Sequence, residues 1–310
     1  MKKTIIFVLF LYSCTASLLF GQEVVPAHQS LESFSFLRDF CVSASQDEIF
    51  FTIESPSQSL SRLVCLQKKE DKWSEPTLLP FSGKYQDLEP FLSYDEKRLY
   101  FSSNRPTQDS LESNFDIWYV ERKDKNAAWS APINMGAPIN SAGNEFYPTL
   151  SENQNLYFTS ADLAGFGKDD IYVCYWAKDH YLPPQVLDST INSKGYEFNA
   201  FISKDEKYLI YTKYNAEDGL GSGDLYVAQK NQAGTWEKAR NLGAKINSKQ
   251  MDYCPFYDEK NKILYFTSRR EVKPENILNW QSFQDWLEKG ENGLSKLYKV
   301  SFDLSLFFEE

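Results

Sequence analysis

The sequence predicts an all-β fold, a five-bladed β-propeller of four-stranded antiparallel blades closed by a strand from near the N-terminus. Three observations carry that prediction. One motif recurs five times at the length of a propeller blade. Each copy is followed by β-branched and aromatic runs set between turn residues. The last copy lacks a fourth strand, while a spare strand-like segment precedes the first copy.

Four copies start at "EPFLSYDEKRLYFSS" (Glu89), "YPTLSENQNLYFTS" (Tyr147), "NAFISKDEKYLIYT" (Asn199) and "CPFYDEKNKILYFTS" (Cys254), and "DFCVSASQDEIFFT" (Asp39) is a weaker fifth. With Phe40, Pro90, Pro148, Ala200 and Pro255 as equivalent anchors, the separations are 50, 58, 52 and 55 residues. The units therefore begin near 40, 90, 148, 200 and 255. Within each, the anchor segment is the first strand, and runs such as Leu99 to Ser102 or Leu264 to Thr267 are the second. Asp116 to Val120 and Asp224 to Val227 exemplify the third, and a fourth is expected near Trp73, Trp129, Tyr181 or Trp236. Unit five ends within ten residues of its third strand, Leu297 to Val300. The segment Glu23 to Leu31 is predicted to supply its missing strand, so that closure removes the exposed sheet edges.

Of the 310 residues, 42% are hydrophobic and 16% aromatic, enough for a substantial core. The net charge is −10 and no long Lys/Arg block follows the amino terminus, which argues against nucleic acid as a partner. Lys2 and Lys3 before an apolar run mark residues 1–21 as a signal peptide, leaving 22–310 as a single propeller. Two processing routes compete: cleavage after Gly21, or a lipid anchor at Cys14 within "LYSC". Either places the protein in the periplasm or at the outer membrane, peripheral to the bilayer, or secreted. The remaining cysteines, Cys41, Cys65, Cys174 and Cys254, match no zinc pattern, and His28 and His180 are the only histidines, so no metal or cofactor is expected. Cys41 and Cys254 lie beside the anchors of units that closure makes neighbours, which raises a disulfide across that seam as an alternative to free thiols. Oligomeric state is left open.

The phrases "SYDEKRLYFSSNRP", "FDIWYVER", "WSAPINMGAPINSAGNEFYPTLS" and "GFGKDDIYV" resemble the WD-repeat-like repeats of TolB-type periplasmic propellers, in particular those of Bacteroidetes. The resemblance covers nearly the whole chain after the leader. It implies a propeller used for protein contact at the cell envelope, without a shared chemistry, and so an envelope protein or peptide as partner.

Three features are candidate sites. The loop "GFGKDD" fails as a phosphate cradle because Asp162 occupies the first glycine position and a strand follows instead of a helix. Asp162, Asp169 and Asp170 lack the alternation of a calcium loop, and "NAEDGLGSGDLYV" repeats the same pattern. Its glycines are expected to tolerate positive φ, and Asp170, Asp224 and Asp116 to bond nearby amides. "INS" recurs at Ile139, Ile191 and Ile246, each time with an acid five residues after the Asn. The resulting set, Asp87, Glu145, Glu197 and Asp252, reads either as an acidic ring at the channel mouth or as four caps of interblade turns. As four equivalent acids they lack the contrast that a glycosidase pair needs, and neither an Asp-box nor a Ser-His-Asp set is found, so the chain is expected not to be an enzyme. A carbohydrate-binding or glycosidase-like propeller using the acidic ring is the alternative. Finally, unit five carries a 24-residue connection, 271–294, in which Trp280, Phe283, Trp286 and Leu287 fall at helical spacing before Gly290. That helix either packs on its own propeller or forms a partner-binding edge.

Overall fold

The computed structural model describes residues 23–107, 114–277, 279–289 and 291–309. The leader, Cys14 and the cleavage points fall outside these residues. Five antiparallel sheets form the blades, each read in chain order from an inner strand outward. The inner strands are Leu37–Val42, Asp87–Leu92, Glu145–Leu150, Glu197–Ile202 and Asp252–Asp258. Each contacts the inner strands of the blades before and after it, the first and fifth included, which closes the ring.

The middle strands are nearly continuous apolar runs because each blade is sandwiched between two others. In Arg98–Ser103, Leu99 and Phe101 pack with Phe50 and Leu63 of blade one. Tyr100, between them, faces Leu156 and Phe158 of blade three. Period-two alternation thus distributes apolar side chains between two interfaces rather than between core and water.

The closing strand is as the sequence predicts. Val25–Pro26 pairs with Lys299 and Tyr298, and the Ala27 amide donates to Leu297 O at 2.9 Å. Ala27 and Leu31 are buried with Phe40 of blade one and Tyr265 and Leu297 of blade five, clamping the seam. The insertion forms the helix Trp280–Lys289. No helix among the described residues is long and apolar enough to cross a membrane.

Three expectations are corrected. The fourth strands are Thr77–Leu78, Ile133–Asn134, Gln185–Val186 and Arg240–Asn241, each several residues beyond the aromatic expected to mark it. The aromatics lie instead on the connection between strands three and four, two of them in added hairpins at Lys72–Trp73 and His180–Tyr181. Trp129 and Trp236 cover cations there, with Arg122 at 4.3 Å and Lys230 at 4.8 Å from the rings. The glycines of the blade-three and blade-four loops do not have positive φ. They permit close approach: a Cβ at Gly221 would lie 1.9 Å from Gln250 O, and one at Gly167 2.4 Å from Ser193 O, both in the next interblade turn. The four described cysteines are free and buried. Cys41 Sγ accepts from the Leu92 amide at 3.3 Å, whereas Cys254 points to the axis, so the two thiols serve different interfaces.

Removing residues 23–31 leaves the edge of Lys296–Ser301 unpaired and uncovers Phe40 and Tyr265; thermal unfolding of the truncated chain is expected to fall by at least ~10 °C. An unchanged melt contradicts closure by this strand. Gly221→Ala is expected to cost about 1–3 kcal/mol in denaturant unfolding, because the obstructing atom is backbone and cannot rotate away.

Candidate functional site

All five inner strands break register at the same point: between Arg38 and Cys41, Leu88 and Phe91, Phe146 and Thr149, Phe198 and Phe201, and Tyr253 and Phe256. The first residue inside each break is Asp39, Glu89, Tyr147, Asn199 or Cys254, with φ of 61°, 64°, 54°, 52° and 52°. None is glycine, so each bulge costs on the order of 1 kcal/mol of backbone strain. The surroundings hold them there. The amides of Asp39, Glu89 and Asn199 donate to Thr267, Thr52 and Thr159 Oγ1 at 3.1–3.2 Å, hydroxyls on the second strand of the preceding blade. Proline follows three of the bulges, where it forfeits no ladder bond.

The bulges turn one side chain per blade toward the axis. Asp39, Glu89, Tyr147, Asn199 and Cys254 are all buried. Arg38 binds them together: its Nε lies 2.9 Å from Asp39 and its Nη2 3.0 Å from Glu89 Oε1, with Glu54 at 3.5 Å. Glu89 Oε2 accepts from the Tyr147 amide at 2.7 Å, and Asp39 Oδ2 from the Glu89 amide at 3.2 Å. Tyr147 reaches across the ring to donate to Pro255 O at 3.0 Å, and Cys254 Sγ donates to Asn199 Oδ1 at 3.4 Å.

Three carboxylates, those of Asp39, Glu89 and Glu54, meet one guanidinium here. Burial pushes the Glu89 carboxyl up to about 7; Arg38 opposes this and the neighbouring Asp39 adds to it. Burial also raises Glu54. Burial works against the charge on Arg38, yet Asp39, Cys254 and Glu89 hold its pKa well above the ordinary value. At neutral pH the centre therefore holds a fixed cation beside a carboxyl poised to hold or release a proton.

This end of the axis has an aromatic border. Tyr147, Tyr253 and Cys254 pack with the half-buried Phe146, Phe198 and Met251. The Tyr253 ring lies 5.5 Å from the Arg38 guanidinium and 5.9 Å from that of Arg269. Below the cluster the channel narrows to a void of about 10 Å³ lined by Glu89, three prolines and Phe40, Phe91, Phe201 and Phe256.

The sequence-predicted acids begin their strands two residues before these bulges, and Glu145, Glu197 and Asp252 bond their own turns. Ser141, Ser193 and Ser248 Oγ donate to Glu145, Glu197 and Asp252 at 2.5, 2.7 and 2.8 Å. Asp87 and Asp252 also pair with Arg105 and Arg270 at 2.5 and 3.1 Å. Among the described residues Glu145 has no such arginine, and burial pushes it up to about 7, the Ser141 hydrogen bonds opposing. The rest of "INS" is accounted for in the same way: Asn140, Asn192 and Asn247 each exchange two hydrogen bonds of 2.8–3.0 Å with the backbone of Ile117, Ile171 and Leu225. In the loops, Asp170 accepts from Phe166 and Gly167 N, and Asp224 from Leu220 and Gly221 N. Asp116 instead bonds the Asn114 and Asn134 side-chain amides at 3.2 and 2.7 Å. In the insertion, Trp286 Nε1 donates to Val272 O at 3.0 Å and stacks on Phe283, while Trp280 is 68% and Leu287 43% exposed.

No family model and no curated protein matches the chain. Among solved structures, a glycoside hydrolase aligns at 9% identity over 91% of this chain and 92% of its own, with a TM-score of 0.56. The catalytic domain of the Coprinopsis cinerea GH62 α-L-arabinofuranosidase aligns at 11% identity over 91% and 96%, with a TM-score of 0.51. A putative TolB from Agrobacterium tumefaciens aligns at 10% identity over 79% and 73%, with a TM-score of 0.48. The likeness is one of fold, and the class it defines is the β-propeller. It overturns the expectation that the chain is not an enzyme, because glycoside hydrolases share its architecture over nearly its full length. That expectation rested on the equivalence of four turn acids and on the lack of an Asp-box or a Ser-His-Asp set; Asp39 and Glu89 are two further buried carboxylates, at the bulges themselves.

The raised carboxyls dictate a pH response. Glu89 and Glu145 hold protons in the folded state that the unfolded chain releases above about 4.5, so their stabilising contribution is complete below that pH and lost as pH rises through about 7. Burial and Lys299 hold His28 below its usual value, which acts in the opposite sense, so the comparison between variants isolates Glu89. Between pH 5.5 and 8, the fall in melting temperature is expected to be several degrees smaller in Glu89→Gln than in the native chain, the remainder coming from Glu145. Parallel curves contradict the assignment.

Proposed function

We propose that this protein is a carbohydrate-active propeller of the glycoside hydrolase type, with its reacting centre at the Arg38 end of the axis. The observation that carries this reading is the Asp39–Arg38–Glu89 group, in which two buried carboxylates on neighbouring blades meet one guanidinium and burial pushes Glu89 up to about 7. Glycosidic cleavage requires one carboxyl that still carries a proton near neutral pH and a second that is charged. Glu89 is assigned the first role, donating its proton to the leaving oxygen. Asp39, ion-paired with Arg38, is assigned the second.

The half-buried aromatics beside the cluster suit the apolar face of a sugar ring, and Arg38 and Asn199 offer donors to its hydroxyls. Arg38 has a side-chain exposure of 17%, the highest in the cluster, so a substrate meets it first. Shared architecture with glycoside hydrolases supports the same class of chemistry. The basic and then apolar residues 1–21 support an exported setting, where extracellular glycans are available.

The test is release of nitrophenol from a panel of aryl glycosides, beginning with α-L-arabinofuranosides. Glu89→Gln and Asp39→Asn are each expected to lose at least ~100-fold in kcat/KM while an oligosaccharide array still retains both. Equal activity in the variants, or neither turnover nor glycan retention by the native chain, overturns the reading.

A further inference from the structure

The rim of the axial centre carries a cation that the proposed chemistry does not use. Arg269 follows the second strand of blade five, Ile263–Ser268, just before the 271–294 insertion. Its amide donates to Met251 O at 2.8 Å, which holds the residue beside the aromatic border. Its Nε donates at 3.0 Å to the hydroxyl of Ser295, where the insertion ends, and the Tyr253 hydroxyl meets that same oxygen at 3.1 Å. The two ends of the insertion thus fix the Arg269 guanidinium 5.9 Å from the Tyr253 ring.

The Nε side of this guanidinium is occupied and the other edge is not. Arg269 is half-buried, and its two Nη atoms have no hydrogen-bond or ion-pair partner among the described residues. Unlike such enclosed atoms as Ser102 Oγ, they are open to solvent. Two coplanar Nη donors form the fork that takes both oxygens of a carboxylate.

The acids nearby are engaged elsewhere. Asp39, Glu89 and Glu54 gather on Arg38, at 2.9, 3.0 and 3.5 Å. Burial raises Glu54, and Arg269 opposes this only from beyond ion-pair distance. Asp252 and Glu291 pair with Arg270, at 3.1 and 4.0 Å. Tyr253 therefore borders on two guanidinium groups, one balanced by acids and one without a counter-ion. A cation partly withdrawn from water and left unbalanced favours an anion beside it.

We propose that the glycan bound at this end of the axis is acidic, and that Arg269 holds the carboxylate of one of its uronic acid residues, both oxygens on the Nη edge. This inference rests on the glycan reading and narrows it to a class of substrate, with the acidic sugar on the Tyr253 side of the centre. The net charge of −10 repels a polyanion at long range, so a preference for one has to come from the rim itself.

The experiment measures, by titration calorimetry, binding of the full chain from residue 22 to galacturonate and glucuronate oligosaccharides and to the same chains with their carboxyls reduced to alcohols. Native protein is expected to bind at least one acidic chain ~10-fold or more tightly than its reduced counterpart. Arg269→Gln is expected to bring that ratio to within ~2-fold while the reduced chain binds as before, and Arg269→Lys, which keeps the charge without the fork, to retain only part of it. Lys273→Gln, which removes an exposed cation from the same insertion, is expected to leave the ratio unchanged. Equal binding of acidic and reduced chains overturns the proposal and leaves the glycan reading standing. A ratio that survives Arg269→Gln, or that Lys273→Gln lowers as much, overturns it too. Binding of neither chain also overturns it, and the glycan reading is then decided by the aryl glycosides and the array.

Discussion

The structure depends on a backbone constraint: each inner strand passes through a left-handed bulge at a non-glycine residue. A regular strand would alternate its side chains between the two flanking blades and leave nothing for the axis. The bulge inserts one residue and re-aims it inward. The strain is held by the neighbouring blade, whose second-strand threonine accepts the bulged amide at three of the five positions. Thus the contact that permits an axial side chain also fixes the angle between successive blades, and ring closure and site formation are one event.

This constraint separates what repeats from what does not. The interblade turn repeats because every blade must complete its third strand and start the next one. Asn140, Asn192 and Asn247 supply the donor and acceptor that a short fourth strand leaves missing, and the serine and acid beside them tie the turn closed. Such side chains are set by the fold. The bulge position carries no repeated chemistry: Asp, Glu, Tyr, Asn and Cys occupy it in turn. Five equivalent backbone sites with five different side chains produce an asymmetric centre from a symmetric scaffold.

Much of the architecture was legible in the sequence because propeller order is written at a fixed period: blade number, strands two and three, the closing strand and the insertion helix all follow from spacing. The fourth strands were misplaced because Trp129 and Trp236 are conspicuous for stacking on cations beyond the sheet, while the actual strands, such as Ile133–Asn134, are two residues long and carry little signal. The glycines of the loops were legible as necessary but not for the right reason, since close approach to Gln250 O or Ser193 O belongs to tertiary contact. Asp39 and Glu89 carry no repeat signal, unlike the recurring acids of the turns. The signal was the reverse, a position beside each anchor where the residue changes from blade to blade. The partnership of Arg38 with Glu89, 51 positions apart, depends on the ring and has no local trace.

The electrostatics of the axial cluster follow from the same geometry. Burial raises Glu89, the bulges bring Asp39 beside it, and Arg38 balances their charge; each effect needs the ring to be closed. The most direct measurement is a carbon-13 NMR titration of the glutamate side-chain carboxyls. The account predicts a resonance titrating near pH 7 that is absent from Glu89→Gln and shifts when a glycan is bound. A Glu89 resonance titrating below pH 5 would contradict it.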